Sequence, residues 1–273
     1  MLLRRSSAGL ARPLLAAWSL ATWLAGGLLT VAFSSLILLV TALSGWLDPK
    51  RRLAHWLTVL WGRAIIYGNP LWSLSIRGAE RLDPRRAYIL AANHQSLMDI
   101  VALLCLGQQF KWIAKSSLFR IPFLGWSMRA ARYIQLERGR HGSVRDSYQE
   151  AQRWLERGVS VFVFPEGTRS ITGQLGPFKN GAFKLALESG RPLVPIVITG
   201  TRQLIQRGSW IFTPRVQMQL EVLAPIDPAR YGPDGIERLR DEVRQLMVQT
   251  LEKLSAPTPN PSQRSAASAG TNS

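Results

Sequence analysis

The chain has 273 residues, 47% of them hydrophobic, which is enough to bury a core and excludes disorder as its main state. Its one cysteine, Cys105, excludes an intramolecular disulfide framework and any paired-cysteine metal site. Lys and Arg number 34 against 17 Asp and Glu, and the resulting +17 points to nucleic acid, an anionic membrane surface or a phosphorylated substrate. Only six of those basic residues are lysine, so an arginine-rich composition with no partner behind it accounts for part of the charge.

Residues 13–47 carry no charge and lie between Arg4, Arg5 and Arg12 on one side and Lys50, Arg51 and Arg52 on the other. As one helix this stretch would run about 52 Å, well beyond a hydrocarbon core of roughly 30 Å. Two readings fit it equally: a single span, or a shallow hairpin broken at Gly26-Gly27 that returns both basic flanks to one face. A cleaved signal peptide is a third reading, disfavoured because its apolar region is usually only about 7–15 residues long.

A basic amphipathic connector over 51–67 follows. β-rich runs are then expected at 74–77, 88–91, 111–114, 133–136, 159–164, 193–199 and 216–222. Helices are expected between most of them, at 143–157 and at 181–189 before Gly190, with a last amphipathic helix over 235–254. This alternation predicts an α/β fold. The organisation is therefore a membrane-anchoring helical region over 1–67, an α/β domain over 68–254, and a tail over 255–273 too poor in bulky apolar residues to order itself.

Chemistry concentrates in two places. His94 stands just past the strand at 88–91, with Asp99 five residues on, at the start of an apolar helical run. If the histidine loop folds back over the first helical turn, Asp99 holds one imidazole nitrogen and the other is left as a base for a substrate hydroxyl. Taken alone, this spacing is a weak signal. The second place is Phe164-Pro-Glu-Gly-Thr-Arg-Ser170, where an apolar strand breaks into a turn carrying Glu166, Gly167, Thr168 and Arg169. Glycine permits close backbone approach there, and Arg169 can grip a phosphate through two nitrogens. Lys179, near the start of the helix at 181–189, is a further anion contact.

Asn93-His94-x4-Asp99 followed by Phe164-Pro-Glu-Gly-Thr-Arg-Ser170 resembles the glycerolipid acyltransferase family, specifically the 1-acylglycerol-3-phosphate acyltransferases. Lys115-Ser-Ser-Leu-Phe-Arg-Ile-Pro-Phe-Leu-Gly125, Tyr133-Ile-Gln-Leu-Glu-Arg138 and Val194-Pro-Ile-Val197 look like further blocks of that family. The resemblance covers roughly 77–200. Glu137 stands where the family usually has Asp, and Ala130-Ala131 where glycine is common.

The resemblance implies a mixed β-sheet flanked by helices, with an N-terminal hydrophobic membrane segment. It implies His94 as general base and Asp99 as its orienting partner, with Glu166, Gly167, Thr168 and Arg169 in the acceptor site. Arg138, Lys115 and Lys179 are further candidates for contact with the phosphate. The implied reaction moves an acyl group from acyl-CoA or acyl carrier protein, used as co-substrate, to the sn-2 hydroxyl of lysophosphatidate. It would take place at the cytoplasmic face of the inner membrane, with the lipid bilayer as partner. Neither a cofactor nor a metal is expected, since His94 has no second ligand at metal-binding spacing, and no nucleic acid is expected, since no recognition motif accompanies the charge. Another lysolipid acceptor, such as a lyso-ornithine lipid, and a non-catalytic protein binding anionic lipid are the alternatives. Cys105 reads as a core residue, His55 as interfacial and His141 as a surface residue.

Overall fold

The computed structural model describes residues 4–255 apart from Arg138, Ile171, Gln206 and Arg207, with side chains from Arg12 onward. The expected tail over 255–273 lies outside the described residues except for Ser255. In chain order the elements are α1 (Arg4–Ser44), α2 (Arg52–Tyr67), β1 (Trp72–Arg77), β2 (Ile89–Ala92), α3 (Met98–Leu104), β3 (Phe110–Lys115), α4 (Leu124–Ala130) and β4 (Ile134–Leu136). They continue with α5 (His141–Glu156), β5 (Ser160–Val163), α6 (Gly181–Ser189), β6 (Leu193–Thr199), α7 (Thr201–Leu204), β7 (Val216–Val222) and α8 (Ile236–Ser255).

The strands form one sheet of order β1-β7-β6-β2-β5-β3-β4. Every neighbouring pair is parallel except β6 and β7, which run antiparallel. The central strands β2 and β5 are buried along their whole length, as a parallel sheet covered on both faces requires. β1 alternates between turned-in and more exposed residues, as suits an edge strand.

Alternation along the strands sorts the core into two layers. Leu90, Ala92, Phe162 and Ile196 face a layer containing Leu57 of α2 and Leu103 of α3. Ile89, Ala91, Val161 and Val197 face Trp154 of α5, Phe183 of α6 and Val243 of α8. β2 therefore leads into a helix on one face and its parallel neighbour β5 into a helix on the other. That is a topological switch point, and a crevice opens there beyond the carboxyl ends of the two strands.

The N-terminal hydrophobic stretch departs from one expectation. α1 runs unbroken through Gly26-Gly27, and the chain reverses instead between Ser44 and Arg52. Two glycines weaken a helix by only about 1 kcal/mol each, whereas Pro49 lacks a donor, Asp48 accepts the Leu53 N–H at 2.9 Å, and Arg51 takes φ 55°. α2 returns along α1, and the Trp61 indole donates to Thr30 at 3.1 Å.

α1 also bonds to the rest of the molecule. The Ser34 hydroxyl donates to Ser127 at 3.2 Å, Ser19 accepts the Phe212 N–H at 3.0 Å, and the Trp23 indole donates to the Trp210 carbonyl at 2.8 Å. Residues Arg12–Ser44 are long and apolar enough to cross a membrane, and only 11% of their most apolar window is buried, so this is not the core helix of a soluble domain. Leu20, Leu24, Leu28, Leu36 and Leu43 are among the side chains exposed along it.

Candidate active site

Three adjacent parallel strands, β2, β5 and β3, end at the same edge of the sheet. They deliver His94, the segment Glu166 to Arg169, and Lys115 respectively. The placement follows from the apolar runs: β2 and β5 stay buried to their last residue, so the polar residues after them emerge at the crevice, while β3 becomes half-buried over Ile113 and Ala114 and ends on the exposed Lys115.

Asn93 fixes the end of β2. Its side-chain amide donates to the Ile198 carbonyl at 3.0 Å while its oxygen accepts the Ile198 N–H at 2.8 Å, which locks the loop to β6. The chain then turns so that His94 Nδ1 lies 2.8 Å from Asp99 Oδ2. The fold-back expected for a histidine five residues before its partner is the geometry observed. The same Oδ2 accepts the main-chain N–H groups of Gln95 at 2.6 Å and Ser96 at 2.8 Å, and Oδ1 accepts the Thr201 hydroxyl. Asp99 is wholly buried, so these donors replace the water it has lost. The imidazole stacks on Phe164 with ring centroids 4.0 Å apart.

A cavity of about 430 Å³ opens against His94. Its wall is largely apolar, with Trp61 and Ile65 of α2, Met98 and Val101 of α3, and Trp112 of β3, and α1 contributes Thr22, Trp23 and Gly26. Lys115 and Arg169 line the same cavity and supply its positive charge.

The remaining expected site residues occupy different positions. Glu166 is buried, and its carboxylate accepts two main-chain N–H groups, His94 at 2.9 Å through Oε1 and Gly176 at 3.0 Å through Oε2. Its chemistry is thus that of a brace for the histidine loop. Gly167 has φ 70°, and a Cβ there would sit 2.9 Å from Lys179 Cε, so the turn demands glycine and lays the lysine stem across it. Lys179 lies just before α6, and Thr168 and Arg169 are exposed. Arg138 lies outside the described residues.

The Ser170 N–H donates to the His94 carbonyl at 2.7 Å, closing the second motif onto the first. Phe164 and Thr201 were not singled out from sequence. Phe164 could have been found as the strand's last aromatic residue before the turn. Thr201 had a weaker signal, its position at the carboxyl end of a neighbouring strand.

Of the other singled-out residues, His141 is exposed and Cys105 is buried, with its thiol pushed up to about 11 by burial. His55 is not interfacial. It is buried, bonded to Tyr133 Oη at 2.9 Å and the Gln108 carbonyl at 2.9 Å, and burial pushes its pKa down to about 4. The reason is that α2 turns this face toward the sheet.

A buried carboxylate, an imidazole oriented by it and an apolar cavity lined by two cations make an arrangement able to do acid–base chemistry on an amphipathic substrate. Comparison with known proteins fits this geometry. Residues 73–199 match the family model described as Acyltransferase. A chloroplastic 1-acyl-sn-glycerol-3-phosphate acyltransferase of Brassica napus is 34% identical over 238 residues, covering 83% of this chain and 66% of its own length. The 1-acyl-sn-glycerol-3-phosphate acyltransferase of Saccharomyces cerevisiae is 34% identical over 215 residues, covering 75% of this chain and 68% of its own. The crystal structure of the 1-acyl-sn-glycerophosphate acyltransferase PlsC from Thermotoga maritima superposes with a TM-score of 0.78 at 29% identity, covering 92% of this chain and 99% of that one.

The chain belongs to the acyltransferase family, among the 1-acyl-sn-glycerol-3-phosphate acyltransferases. It spans 46% to 68% of the length of the curated relatives compared.

Proposed function

We propose that the protein transfers a fatty acyl group from a thioester donor, acyl-CoA or acyl carrier protein, to the sn-2 hydroxyl of 1-acyl-sn-glycerol-3-phosphate, forming phosphatidate. The observation that carries this reading is the His94 Nδ1 to Asp99 Oδ2 contact of 2.8 Å at the mouth of an apolar cavity. With Nδ1 held, Nε2 is the nitrogen left to act on substrate.

His94 Nε2 takes the sn-2 hydroxyl proton as that oxygen attacks the thioester carbonyl, and Asp99 stabilises the imidazolium that forms. Collapse of the tetrahedral intermediate breaks the C–S bond, and the imidazolium returns its proton to the departing thiolate. The products are phosphatidate and free thiol, and His94 is regenerated neutral. The apolar cavity takes acyl chain, while Lys115 and Arg169 at its rim hold the acceptor phosphate.

The exposed leucines of α1 enter the bilayer, where the acceptor resides, and the catalytic edge of the sheet faces the cytoplasmic side from which the donor arrives. A panel of acceptors offered with each donor tests the substrate assignment. Faster acylation of lysophosphatidate than of lyso-ornithine lipid or neutral monoacylglycerol supports it, and equal use of the neutral acceptor sinks the phosphate contacts.

A further inference from the structure

The turn that follows β6 reaches the catalytic pair from a strand that carries neither motif. We infer that Thr201 is a positioning residue for the acyl transfer, its hydroxyl fixing the Asp99 carboxylate in the orientation that holds His94. The inference rests on the proposed role of His94 as general base.

Thr201 is wholly buried, lies 102 residues from Asp99 in the chain, and donates its hydroxyl to Oδ1. The other contacts described for this carboxylate, from His94, Gln95 and Ser96, all fall on Oδ2. Without the hydroxyl, Oδ1 would be a buried anionic oxygen with no donor described for it. The carboxylate could regain a donor only by rotating, which would carry Oδ2 out of line with the imidazole.

Gly200 aims Thr201. It has φ 84°, and a Cβ there would lie 2.1 Å from the Gln217 carbonyl of β7, so only glycine makes this turn. The next residue, Arg202, donates to the Thr172 carbonyl. One short turn thus grips both Asp99 and the loop that follows the second motif.

The charged groups around the pair are few. Glu166 is engaged by main-chain N–H groups of the histidine loop, Lys115 and Arg169 line the cavity beside the ring, and Arg202 holds the loop at Thr172. Thr201 contributes a neutral dipole, so its loss changes how the carboxylate is satisfied without changing the site's formal charge.

The test compares wild type with Thr201→Val and Thr201→Ser in detergent or liposomes, reading kcat, KM, the pH profile and the His94 imidazole titration by NMR. Three histidines make the spectrum assignable, with His94→Ala marking the signal. Thr201→Val should lower kcat about tenfold or more with little change in either KM. Because a carboxylate turned out of line with the imidazole holds the imidazolium less well, the acid limb of the pH profile and the His94 titration midpoint should both move downward. Thr201→Ser, which keeps the hydroxyl, should recover most of the lost rate and the wild-type midpoint.

If Thr201→Val does not fold, Thr201→Ala carries the same comparison. Wild-type kcat and midpoint in the valine or alanine variant would overturn the inference, as would an equal loss in the serine variant. An inactive wild type would instead overturn the acyltransferase reading, while the titration would still report the coupling of Thr201 to His94.

Discussion

The Glu166 carboxylate accepts the main-chain N–H of His94 at 2.9 Å, so the second motif holds the first by its backbone. Its other oxygen holds the Gly176 N–H at 3.0 Å. Glu166→Gln turns an amide NH₂ toward one of these two donors and should destabilise the loop by about 1–3 kcal/mol. The expected signature is a fall in kcat together with a lower melting temperature, checked by steady-state kinetics and thermal unfolding. A rise in KM for the acceptor alone would assign Glu166 to substrate instead.

Asp99→Asn keeps the size of the side chain but removes its charge and its preference for accepting. Asn at a catalytic carboxylate position misassigns the imidazole tautomer, a change worth about 10⁴ in kcat where it has been measured in a serine protease. A loss of comparable order is expected here, with acceptor KM little changed. A loss below about tenfold would mean that His94 does not depend on this partner.

Gly167→Ala combines a φ of 70° with a Cβ placed 2.9 Å from Lys179 Cε. Activity should fall sharply, and a second substitution, Lys179→Ala, should recover only the steric part of the loss because the backbone strain remains. Full recovery in the double variant, measured as kcat/KM, would show that crowding alone restricts this position.

Lys115 and Arg169 enter the cavity beside His94 from β3 and from the turn after β5. Replacing either by Ala should cost about 1.5–3 kcal/mol of acceptor binding, roughly 10- to 150-fold in kcat/KM for lysophosphatidate. Neutral acceptors should be little affected. Equal losses on charged and uncharged acceptors would remove both residues from phosphate recognition.

Lys111 is wholly buried on β3, with Nζ donating to the Ala131 carbonyl at 2.7 Å and standing 4.5 Å from the Trp154 ring centroid. Burial pushes its pKa down to about 7, with smaller contributions from neighbouring charges. In the unfolded chain the same amine holds its proton up to about pH 10.4. Between these values the unfolded state binds more protons, so this group makes stability rise with pH from about 7 to 10. Lys111→Met should flatten that rise in a series of melting temperatures, and an unchanged slope would show that Lys111 is not its source.

Much of this architecture was legible because buried parallel strands are short apolar runs with sharp ends. All seven expected strands are present, and β6 and β7 have the predicted limits. The His94–Asp99 fold-back was legible too, since the two residues are close in the chain. Strand order was not, because nothing local to Val216–Val222 records that β7 inserts between β1 and β6. Of the two readings of the hydrophobic stretch, the hairpin at Gly26-Gly27 is not the one seen, because helix continuity through two glycines costs little while the turn at Asp48 and Pro49 reverses the chain after α1. Glu166 and Thr201 show the same limit at the site, since their roles depend on partners 72 and 102 residues away.

The most direct test of the central claim is phosphatidate formation by the purified protein in liposomes, followed by mass spectrometry, with wild type and His94→Ala side by side and each thioester donor in turn. The account predicts phosphatidate and free thiol in equal amounts from wild type with at least one donor, and a loss of at least 10³-fold in the alanine variant. Undiminished product from His94→Ala, or none from folded wild type with either donor, would contradict it.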